Sequence, residues 1–403
     1  MSVFHSLVIP TRNRQDFVVD AVTYYLKYIE DLGEIIIADN SDNKRSIFQA
    51  LKLFLFDSRL KILPSQNSTL SMKDNWERGV AETKGEWVSI IGDDDIISPD
   101  LIFFLRNFLA KFPDSLEYEA FSWRAISFSW MGVDINGRRN PSCIPIDGSK
   151  ITGLISQNYL ENILSWTKPK RTMGCGPSIY HGLWKRSLIN KVKDLNNGLL
   201  FDAQTVDFDA GYNALLCTEK FVVLERPFSI LGSCPKSNSA AGIDYLKKTK
   251  AMENWYKEAG SLEGGPKDIY VPNSITLCIY FFNKYWMEKQ NYSTKVDISN
   301  VLKGLASELE SIDPKYFELF RDELINFIKK TELVDYLDEF KPVKRQREEI
   351  AWNGYVKGSM LIDPTPFADR ILQFADVAFA MLIPWQLVGT NFKVQTDHRV
   401  LLN

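Results

Sequence analysis

The chain has 403 residues, of which 45% are hydrophobic and 25% charged, with a formal net charge of −3 and a pI near 5.8. These values are ordinary for a folded protein of one or two domains, and the lack of a basic excess argues against nucleic acid as a partner. The five cysteines include no CxxC pair, which argues against a disulfide framework or a zinc site. Because the N-terminus lacks the order of a signal peptide and no apolar run of about 18 residues occurs, we expect a cytoplasmic protein.

The first third of the chain alternates short apolar segments with amphipathic ones. Strands are predicted at Phe4–Pro10, Glu34–Ala38, Leu60–Leu63 and Glu86–Ile91, and helices at Asp16–Ile29, Ser46–Phe56, Leu70–Thr83 and from Ser98 onward. Strands separated by helical crossovers form a mostly parallel sheet with helices on both faces. An α/β fold of the Rossmann-like type is therefore expected.

The pattern changes after residue 118. It predicts antiparallel strands between Tyr118 and Ser149, helices at Thr152–Leu164, Leu183–Lys193 and Val206–Cys217, and a strand within Phe221–Ile230. The polar segment Gly232–Gly242 predicts a loop, and the rest of the chain is expected to be mainly helical. We predict an α/β domain at 1–235 and a mainly helical domain at 236–403 with a role in packing or oligomerisation.

Three polar clusters each follow a predicted strand: Pro10-Thr11-Arg12-Asn13-Arg14, Asp39-Asn40-Ser41-Asp42 and Asp93-Asp94-Asp95. Since ligands of such sheets bind outside the carboxyl ends of the strands, we expect these clusters to meet at one edge. Three successive carboxylates repel one another, and Mg²⁺ or Mn²⁺ would offset that repulsion. The alternatives are a solvated turn before a helix for the triplet, an Asx-turn for Asp39 and a plain polar loop for the arginines.

Taken together, SLVIPTRNR, EIIIADNSD and NWERGVAETKGEWVSIIGDDD resemble the nucleotide-binding half of family 2 glycosyltransferases, which are inverting enzymes with the GT-A fold. Three motifs in order over roughly the first 100 residues are far more specific than any one of them. The departure is Ser41, where a Gly-Ser pair is usual. The resemblance implies metal-dependent transfer of a sugar from a nucleotide-diphosphate sugar, with UDP as the expected nucleotide. It makes 1–235 the nucleotide-sugar-binding and catalytic domain, and it adds acceptor binding to the roles expected for 236–403. The acceptor would be a hydroxyl of a glycan or of a lipid-linked molecule, in surface polysaccharide synthesis.

The resemblance also implies residue roles. The expected substrate-binding residues are Pro10, Thr11, Arg12, Arg14, Asp39, Lys73, Asp93, Asp94 and His181. Thr11 and Asp39 would contact the base, and Asp93 would lie near the ribose. Asp95 would ligate Mn²⁺ or Mg²⁺ on the diphosphate, a task that Asp94 could share. His181 would touch the donor sugar or the acceptor, although a lone histidine is more often structural.

An inverting transfer also needs a carboxylate that takes the proton of the acceptor hydroxyl. The segment VDFDAGY resembles the acidic helix opening that carries this base in the family. We expect Asp207 to be the base, with Asp209 second and Asp202 third. The alternative is an acidic helix N-terminus that is stabilised by the helix dipole.

Other functions and partners stay open at this stage. A nucleotidyltransferase acting on sugar phosphates would use a similar sheet and Mg²⁺, but its phosphate loop is usually rich in glycine and PTRNRQDF has none. A non-catalytic nucleotide-sugar-binding module is the second alternative. Gly232–Gly242 could be a lid that brings Lys236 to the diphosphate, or a linker. The C-terminal run ADVAFAMLIPW is expected to pack on the first domain, with peripheral contact at the inner membrane face and homo-oligomerisation through the C-terminal helices as alternatives.

Overall fold

The structure is a computed structural model, and it describes residues 3–29, 33–112, 117–135, 138–169, 176–237, 262–345, 353–388 and 393–395. In the first part of the chain the elements are, in order, β1 (His5–Thr11), α1 (Gln15–Tyr28), β2 (Gly33–Asp39), α2 (Ser46–Ala50), β3 (Leu60–Leu63), α3 (Met72–Ala81), β4 (Trp87–Ile90), β5 (Ile96–Ile97), α4 (Asp100–Lys111), β6 (Ala120–Trp123), β7 (Ile126–Ser129), β8 (Asp134–Ile135), β9 (Arg138–Arg139) and β10 (Ser142–Pro145).

The remaining elements complete the sheets and add a group of helices. In order they are β11 (Ile151–Ile155), α5 (Ser156–Leu164), β12 (Gly182–Lys185), α6 (Arg186–Leu195), α7 (Val206–Cys217), β13 (Lys220–Leu224), β14 (Ser229–Ser233), α8 (Ile275–Lys289), α9 (Ile298–Glu310), α10 (Phe317–Ile328), β15 (Gly354–Val356), β16 (Ser359–Ile362), α11 (Ile371–Ala380) and β17 (Lys393–Gln395).

A nine-stranded sheet in the order β17-β11-β13-β6-β12-β4-β1-β2-β3 forms the centre of the fold. Five of its eight strand pairings are parallel, including those that join β3, β2, β1 and β4. The strands β1, β2 and β4 are buried on both faces because helices cover them, which explains their continuous apolar sequences. The predicted α/β fold with a mostly parallel sheet, flanking helices and a helical C-terminal region is confirmed.

Register explains how the polar clusters come together. Residue by residue, β1 pairs with β2 from His5 opposite Gly33 to Thr11 opposite Asp39. On its other side β1 pairs with β4, so that Val8 lies opposite Ile90. The carboxyl ends of these three parallel strands therefore lie at one edge of the sheet, and each is followed by one of the polar clusters.

Two predicted helices begin later than the sequence pattern indicated. Residues 151–155 form β11, which pairs antiparallel with β13, and α5 begins only at Ser156. Likewise residues 182–185 form β12 between β4 and β6 before α6 begins. Short apolar runs fit a buried strand and a buried helix equally well, so the sheet decides their conformation.

The last part of the chain contributes to two regions. Helices α8, α9 and α10 enclose a hydrophobic cluster of their own, which includes Leu277, Leu305 and Phe320. Further on, β16 pairs with β10, and α11 packs into the main core, where the Phe374 ring lies 4.8 Å from Phe128. The apolar C-terminal run thus packs on the first part of the chain, as expected. The division at residue 235 stays a prediction.

Among the residues described here, no helix is long and apolar enough to span a bilayer.

Candidate functional site

The first and third polar clusters meet through direct side-chain contacts. Thr11 donates its hydroxyl to Oδ2 of Asp93 at 2.6 Å. Arg14 lies between the carboxylates, with Nη2 at 3.0 Å from Oδ1 of Asp93 and Nη1 at 3.6 Å from Oδ1 of Asp94. The structure therefore brings Thr11, Arg14 and the acidic triplet together at the edge that the sequence predicted.

Charge is concentrated and poorly solvated at this edge. Burial raises the pKa of Asp93 to about 7, and the charge of Asp94 adds to this while Arg14 opposes it. Burial and the neighbouring Asp95 also raise the pKa of Asp94. Burial alone would lower the pKa of Arg14, but the two carboxylates raise it above its ordinary value. Arg14 thus offsets the charges of Asp93 and Asp94 only in part, and a further cation would stabilise the ionised form of both carboxylates.

Asp95 is enclosed by protein donors. Its Oδ2 accepts from the amide of Gly92 at 2.6 Å and the hydroxyl of Tyr180 at 3.0 Å, and it lies 2.9 Å from Nε2 of His181. Its Oδ1 accepts from the amide of Gly232 at 2.7 Å. Burial alone would raise the pKa of Asp95, but His181 and the amides lower it below the ordinary value. Both oxygens are therefore occupied by the protein itself.

His181 continues this network away from the edge. Its Nδ1 lies 2.8 Å from the hydroxyl of Ser229, which in turn accepts from the indole of Trp123. A serine, a histidine and an aspartate in contact suggest a hydrolytic triad, but Ser229 is completely buried and its oxygen already accepts a hydrogen bond. The arrangement therefore holds Asp95 in place, and it gives no nucleophile access to a substrate.

His181 is enclosed by protein groups. It is 8% exposed, and both ring nitrogens contact protein groups. Its backbone has a φ of +51°, which an ordinary residue adopts only when its surroundings enforce it. The predicted contact of His181 with the donor sugar or the acceptor stays a prediction, and the ring has no free nitrogen for it in this conformation.

β14 and the residues that follow it pack against Asp94. The amide of Cys234 donates to Oδ2 of Asp94 at 2.9 Å, and the indole of Trp130 donates to the Asp94 carbonyl at 3.1 Å. Gly232 approaches so closely that a Cβ there would lie 1.8 Å from that carbonyl oxygen. The sequence predicted a loop from Gly232 onward but gave no sign of this contact.

Asp39 ends β2 and is fully buried. Its Oδ1 accepts from the hydroxyl of Ser41 at 2.5 Å and from the Ser41 amide at 3.1 Å, which is the Asx-turn that the sequence indicated. Its Oδ2 is buried and has no hydrogen-bond partner among the residues that the structure describes. Burial raises the pKa of Asp39, and the Ser41 donors oppose the shift. An orphaned acceptor at this position suits an N–H or O–H donor of a ligand.

Two residues of α3 support the end of β2. Asn75 donates to the carbonyl of Ala38 at 2.9 Å, and Arg78 donates to the carbonyl of Asp39 at 2.6 Å and to Asn75 at 2.8 Å. Asn75 was part of the sequence resemblance without an assigned role. These contacts show that it positions the strand end on which Asp39 lies.

The N-terminus of α7 carries the candidate bases. Asp207 lies in the first turn and is half-buried, and this burial raises its pKa although nearby backbone amides oppose the shift. Asp209 is fully buried and accepts from the amides of Asp202 and Ala203 at 2.8 and 3.1 Å and from Asn213 at 3.1 Å. Asp209 therefore stabilises the loop before the helix.

Lys289 of α8 connects the helical region to the same loop. Its Nζ lies 2.6 Å from Oδ2 of Asp202 and 3.9 Å from Oδ1 of Asp209. Glu263 accepts from the amide of Gln204 at 2.8 Å. Of the three carboxylates considered as the base, Asp202 and Asp209 are thus paired with a lysine of the C-terminal region. The sequence offered no signal for Lys289.

Aromatic rings link this loop to the acidic triplet. The ring of Trp76 lies 5.5 Å from Tyr180, whose hydroxyl contacts Asp95, and 5.6 Å from Phe201 in the loop before α7. Lys73, one helical turn before Trp76, has its Nζ 3.4 Å from the carbonyl of Asp202. Lys73 is therefore near the loop of α7, and its approach to the nucleotide stays a prediction.

The remaining predicted residues differ in exposure. Pro10 is buried within β1, whereas Arg12 is exposed beside it. Lys236 donates to the carbonyl of Asn13 at 3.3 Å, which places the start of the predicted lid beside the first cluster. Residues 238–242 of that segment lie outside the described residues, and the lid stays a prediction.

A divalent cation fits this site only with help from a ligand. Across the described ranges, no group of three or more His, Cys, Asp or Glu side chains is arranged to hold a metal ion. Mg²⁺ commonly takes one or two carboxylates and completes its coordination with water and substrate phosphates. Among the triplet, Oδ1 of Asp94 is the least committed, since its nearest cationic group is 3.6 Å away.

Residues 6–119 match the model of glycosyl transferase family 2, a region that contains all three polar clusters. The chain carries a family 2 glycosyltransferase domain. This confirms the sequence resemblance over residues 6–119, and the mainly parallel sheet flanked by helices agrees with the fold that the resemblance implied.

Two curated relatives match part of the chain. The chain is 26% identical over 155 residues to the uncharacterized glycosyltransferase MG060 of Mycoplasma genitalium, which covers 35% of this chain and 52% of that protein. It is 30% identical over 104 residues to the glycosyltransferase GlyG of Streptococcus pneumoniae, covering 25% of this chain and 34% of that protein. The match thus spans about half of one relative and a third of the other.

Solved structures give more distant similarities. Residues 1–349 of S. aureus TarS in complex with UDP-GlcNAc are 12% identical with a TM-score of 0.43, covering 84% of this chain and 89% of that one. The mannosyltransferase PcManGT of Pyrobaculum calidifontis, in complex with GDP-Man and Mn²⁺, is 13% identical with a TM-score of 0.38, covering 84% and 86%. At these scores neither structure assigns a donor or a metal to the present chain.

Proposed function

We propose that this protein is an inverting glycosyltransferase that moves a sugar from a nucleotide-diphosphate sugar, with UDP as the expected nucleotide, to an acceptor hydroxyl. The observation that carries the proposal is the convergence of Thr11, Arg14 and the acidic triplet in a family 2 glycosyltransferase domain. The acceptor class we propose is a glycan or a lipid-linked molecule in surface polysaccharide synthesis.

The nucleotide would lie across the ends of β1, β2 and β4. Asp39 supports this because its Oδ2 is buried without a partner and can accept a hydrogen bond from the base. Asn75 and Arg78 hold the backbone around Asp39, so the acceptor is fixed before the ligand arrives. A preorganised acceptor reduces the ordering cost of binding.

Mn²⁺ or Mg²⁺ would be held at the acidic triplet and would offset negative charge on the leaving diphosphate. Asp94 is the carboxylate that could bind the cation with the smallest loss of protein contacts, because the contact of its Oδ1 with Arg14 is long, at 3.6 Å. Ligation by Asp95 would have to use Oδ1, which accepts from the Gly232 amide, because its Oδ2 already contacts three protein groups. Arg14 stays beside the carboxylates and limits their mutual repulsion.

Asp207 would take the proton of the acceptor hydroxyl as that oxygen attacks the anomeric carbon. Burial raises its pKa, which makes the carboxylate a stronger base than a solvated aspartate. Asp209 and Asp202 are less suited, since their oxygens are held by backbone amides and by Lys289. The loop that contains Asp202 and the first turn of α7, which contains Asp209, would instead fix the position of Asp207.

The competing functions differ in measurable ways. A nucleotidyltransferase would release pyrophosphate from a nucleoside triphosphate, whereas a glycosyltransferase releases a nucleoside diphosphate. A binding module would retain the nucleotide-sugar and release neither product. Product analysis after incubation with UDP-sugars and with UTP plus sugar phosphates separates the three.

Titration calorimetry with UDP, GDP, CDP and dTDP, with and without Mn²⁺, tests the donor site. We expect one nucleotide to bind in a metal-dependent manner, and Asp94→Asn to weaken this binding at least about tenfold. Glu86→Gln removes an exposed carboxylate at the other end of β4 and serves as the matched control. If Asp95→Asn is folded and weakens metal-dependent nucleotide binding more than Asp94→Asn does, the metal ligand is Asp95. Failure of every nucleotide to bind would overturn the proposal.

A further inference from the structure

The segment between β2 and β3 exposes an apolar surface that the proposed reaction does not use. Four large side chains there point to solvent: Phe48 is 37% exposed, Leu53 83%, Leu55 44% and Phe56 99%. We call these four residues the 48–56 patch. Single exposed apolar residues are common, but four large ones within nine residues, two of them almost fully exposed, mark an interaction surface.

Ordered backbone holds the patch outward. The chain continues from α2 through successive turns, with the amide of Leu51 bonded to the carbonyl of Ile47 at 3.0 Å and that of Phe54 to Leu51 at 2.9 Å. Ile47 and Leu51 are buried in the main core, and Phe54 packs against it. Because the inward side chains are anchored, the 48–56 patch is a fixed outer face of this segment.

Positive charge surrounds the patch. Residues 42–61 contain five lysine or arginine residues and only two aspartates, in a chain whose net charge is −3. One of the two, Asp57, is paired with Arg59 at 2.7 Å. Lys44, Arg45 and Lys52 are exposed. Lys44 donates to the neutral amide oxygen of Asn67, a contact that leaves its charge uncompensated. Apolar side chains with flanking cations match the composition of surfaces that bind at a lipid interface.

We propose that the 48–56 patch docks this protein on a bilayer that contains anionic phospholipids. Leu53 and Phe56 would enter the boundary between headgroups and acyl chains, while Lys44, Arg45 and Lys52 would face the phosphates. A symmetric contact between two copies fits less well, because a two-fold interface would set these cations against their own copies. Docking through this surface is independent of the proposed transfer reaction.

The surface differs from the C-terminal run that the sequence offered for membrane contact. In that run Ala375, Ala378 and Phe379 are buried in the main core, so they are not available to a bilayer. The 48–56 patch lies instead in the segment that leads into β3, the strand at one end of the nine-stranded sheet. In this segment, high exposure of large apolar side chains coincides with a local excess of positive charge.

Cosedimentation of the full chain with vesicles tests the docking. The vesicles are phosphatidylcholine alone, or phosphatidylcholine with about one third phosphatidylglycerol. We expect the wild type to prefer the anionic vesicles and Leu53→Ser with Phe56→Ser to lower the partition coefficient at least about tenfold. Lys44→Gln with Arg45→Gln and Lys52→Gln should remove the dependence on anionic lipid and on salt.

A matched control separates this surface from exposed apolar residues in general. Leu319→Ser with Leu387→Ser removes two leucines that are 51% and 56% exposed elsewhere, and it should bind vesicles as the wild type does. Nucleotide binding and thermal unfolding of each variant report whether it is folded. The proposal is overturned if the wild type does not sediment with vesicles, or if the patch variant and the control lose binding equally. It is also overturned if the wild type is a dimer that the patch variant dissociates and no vesicle binding is seen.

Discussion

Nε2 of His181 lies 2.9 Å from Oδ2 of Asp95, and both side chains are buried. The same carboxylate receives the hydroxyl of Tyr180 and the amides of Gly92 and Gly232, three donors from different parts of the chain. Asp95 therefore joins the end of β4 to β12 and β14. We infer that this residue fixes the shape of the triplet, on which the orientation of Asp93 and Asp94 depends.

Replacement of His181 tests this inference. His181→Ala should lower the free energy of unfolding by about 1–3 kcal/mol, because it removes a buried partner of Asp95. It also removes the hydrogen bond between the imidazole and the Ser229 hydroxyl. His181→Gln can keep a donor near Nε2 and should recover part of the loss. Urea unfolding measures the stability, and nucleotide titration measures the site. Unchanged stability together with a raised KM for one substrate would instead support the predicted substrate contact.

Asp207→Asn should separate chemistry from binding. The amide cannot take a proton, so we expect kcat to fall by about 10²–10⁴-fold while nucleotide affinity stays the same. Asp209→Asn is the matched comparison, because this residue accepts from the Asp202 and Ala203 amides and should mainly lose stability. If Asp207→Asn transfers sugar at the wild-type rate while Asp209→Asn is folded and inactive, the base is Asp209.

We expect kcat to decrease at low pH because Asp207 becomes protonated. Burial raises the pKa of Asp207 above its ordinary value of 3.8, and a base acts only when deprotonated. As the pH falls through the raised pKa, the carboxylate gains a proton and kcat decreases. The sign for stability is opposite: a carboxyl with a raised pKa in the folded state contributes stability that is lost as the pH rises through this range.

The measurement is kcat at saturating donor and metal, since that profile reports groups of the enzyme–substrate complex. We expect an acid limb displaced above the range of a solvated aspartate. Nucleotide affinity measured over the same range is the control, because titration of Asp93 or Asp94 would appear there. A flat kcat profile down to the ordinary pKa of aspartate would contradict the assignment of Asp207.

The sequence predicted the elements that depend on local pattern. The strands β1, β2 and β4 are continuous apolar runs, and the polar cluster after each could be placed at one edge from the rule for parallel sheets alone. It could also identify Asp39 and the triplet as residues of interest, because unusual polar groups follow buried strands there.

Contacts between residues that are distant in sequence could not be predicted from local sequence patterns. Gly232 and Cys234 reach the triplet from about 140 positions along the chain, as the separation of Cys234 from Asp94 shows. The engagement of both ring nitrogens of His181 depends on Ser229 and Asp95, which share no local pattern with it. Periodicity also failed at residues 151–155, where pairing with β13 decides the conformation.

Lys289 gives a test of how the helical region affects the site. It is the cation of α8 that pairs with Asp202 and approaches Asp209, in the loop that leads into the helix of Asp207. Lys289→Met should leave the Asp209 carboxylate without a nearby cation and loosen this loop. We expect the free energy of unfolding to fall by about 1–2 kcal/mol, between the values for surface and buried ion pairs. We also expect kcat to fall by about tenfold while nucleotide affinity is retained, because only the position of the base changes.

Lys284→Met is the matched control for this variant. Lys284 lies on the same helix and pairs with Glu332 at a half-exposed site within the helical region. Its removal should change the unfolding free energy by less than about 1 kcal/mol and leave kcat unaltered. Lys289→Arg should retain most of the activity, since an arginine can keep the contact with Asp202. If Lys289→Met loses stability but keeps the wild-type kcat, the lysine stabilises the junction without positioning the base, and α8 has no part in the reaction.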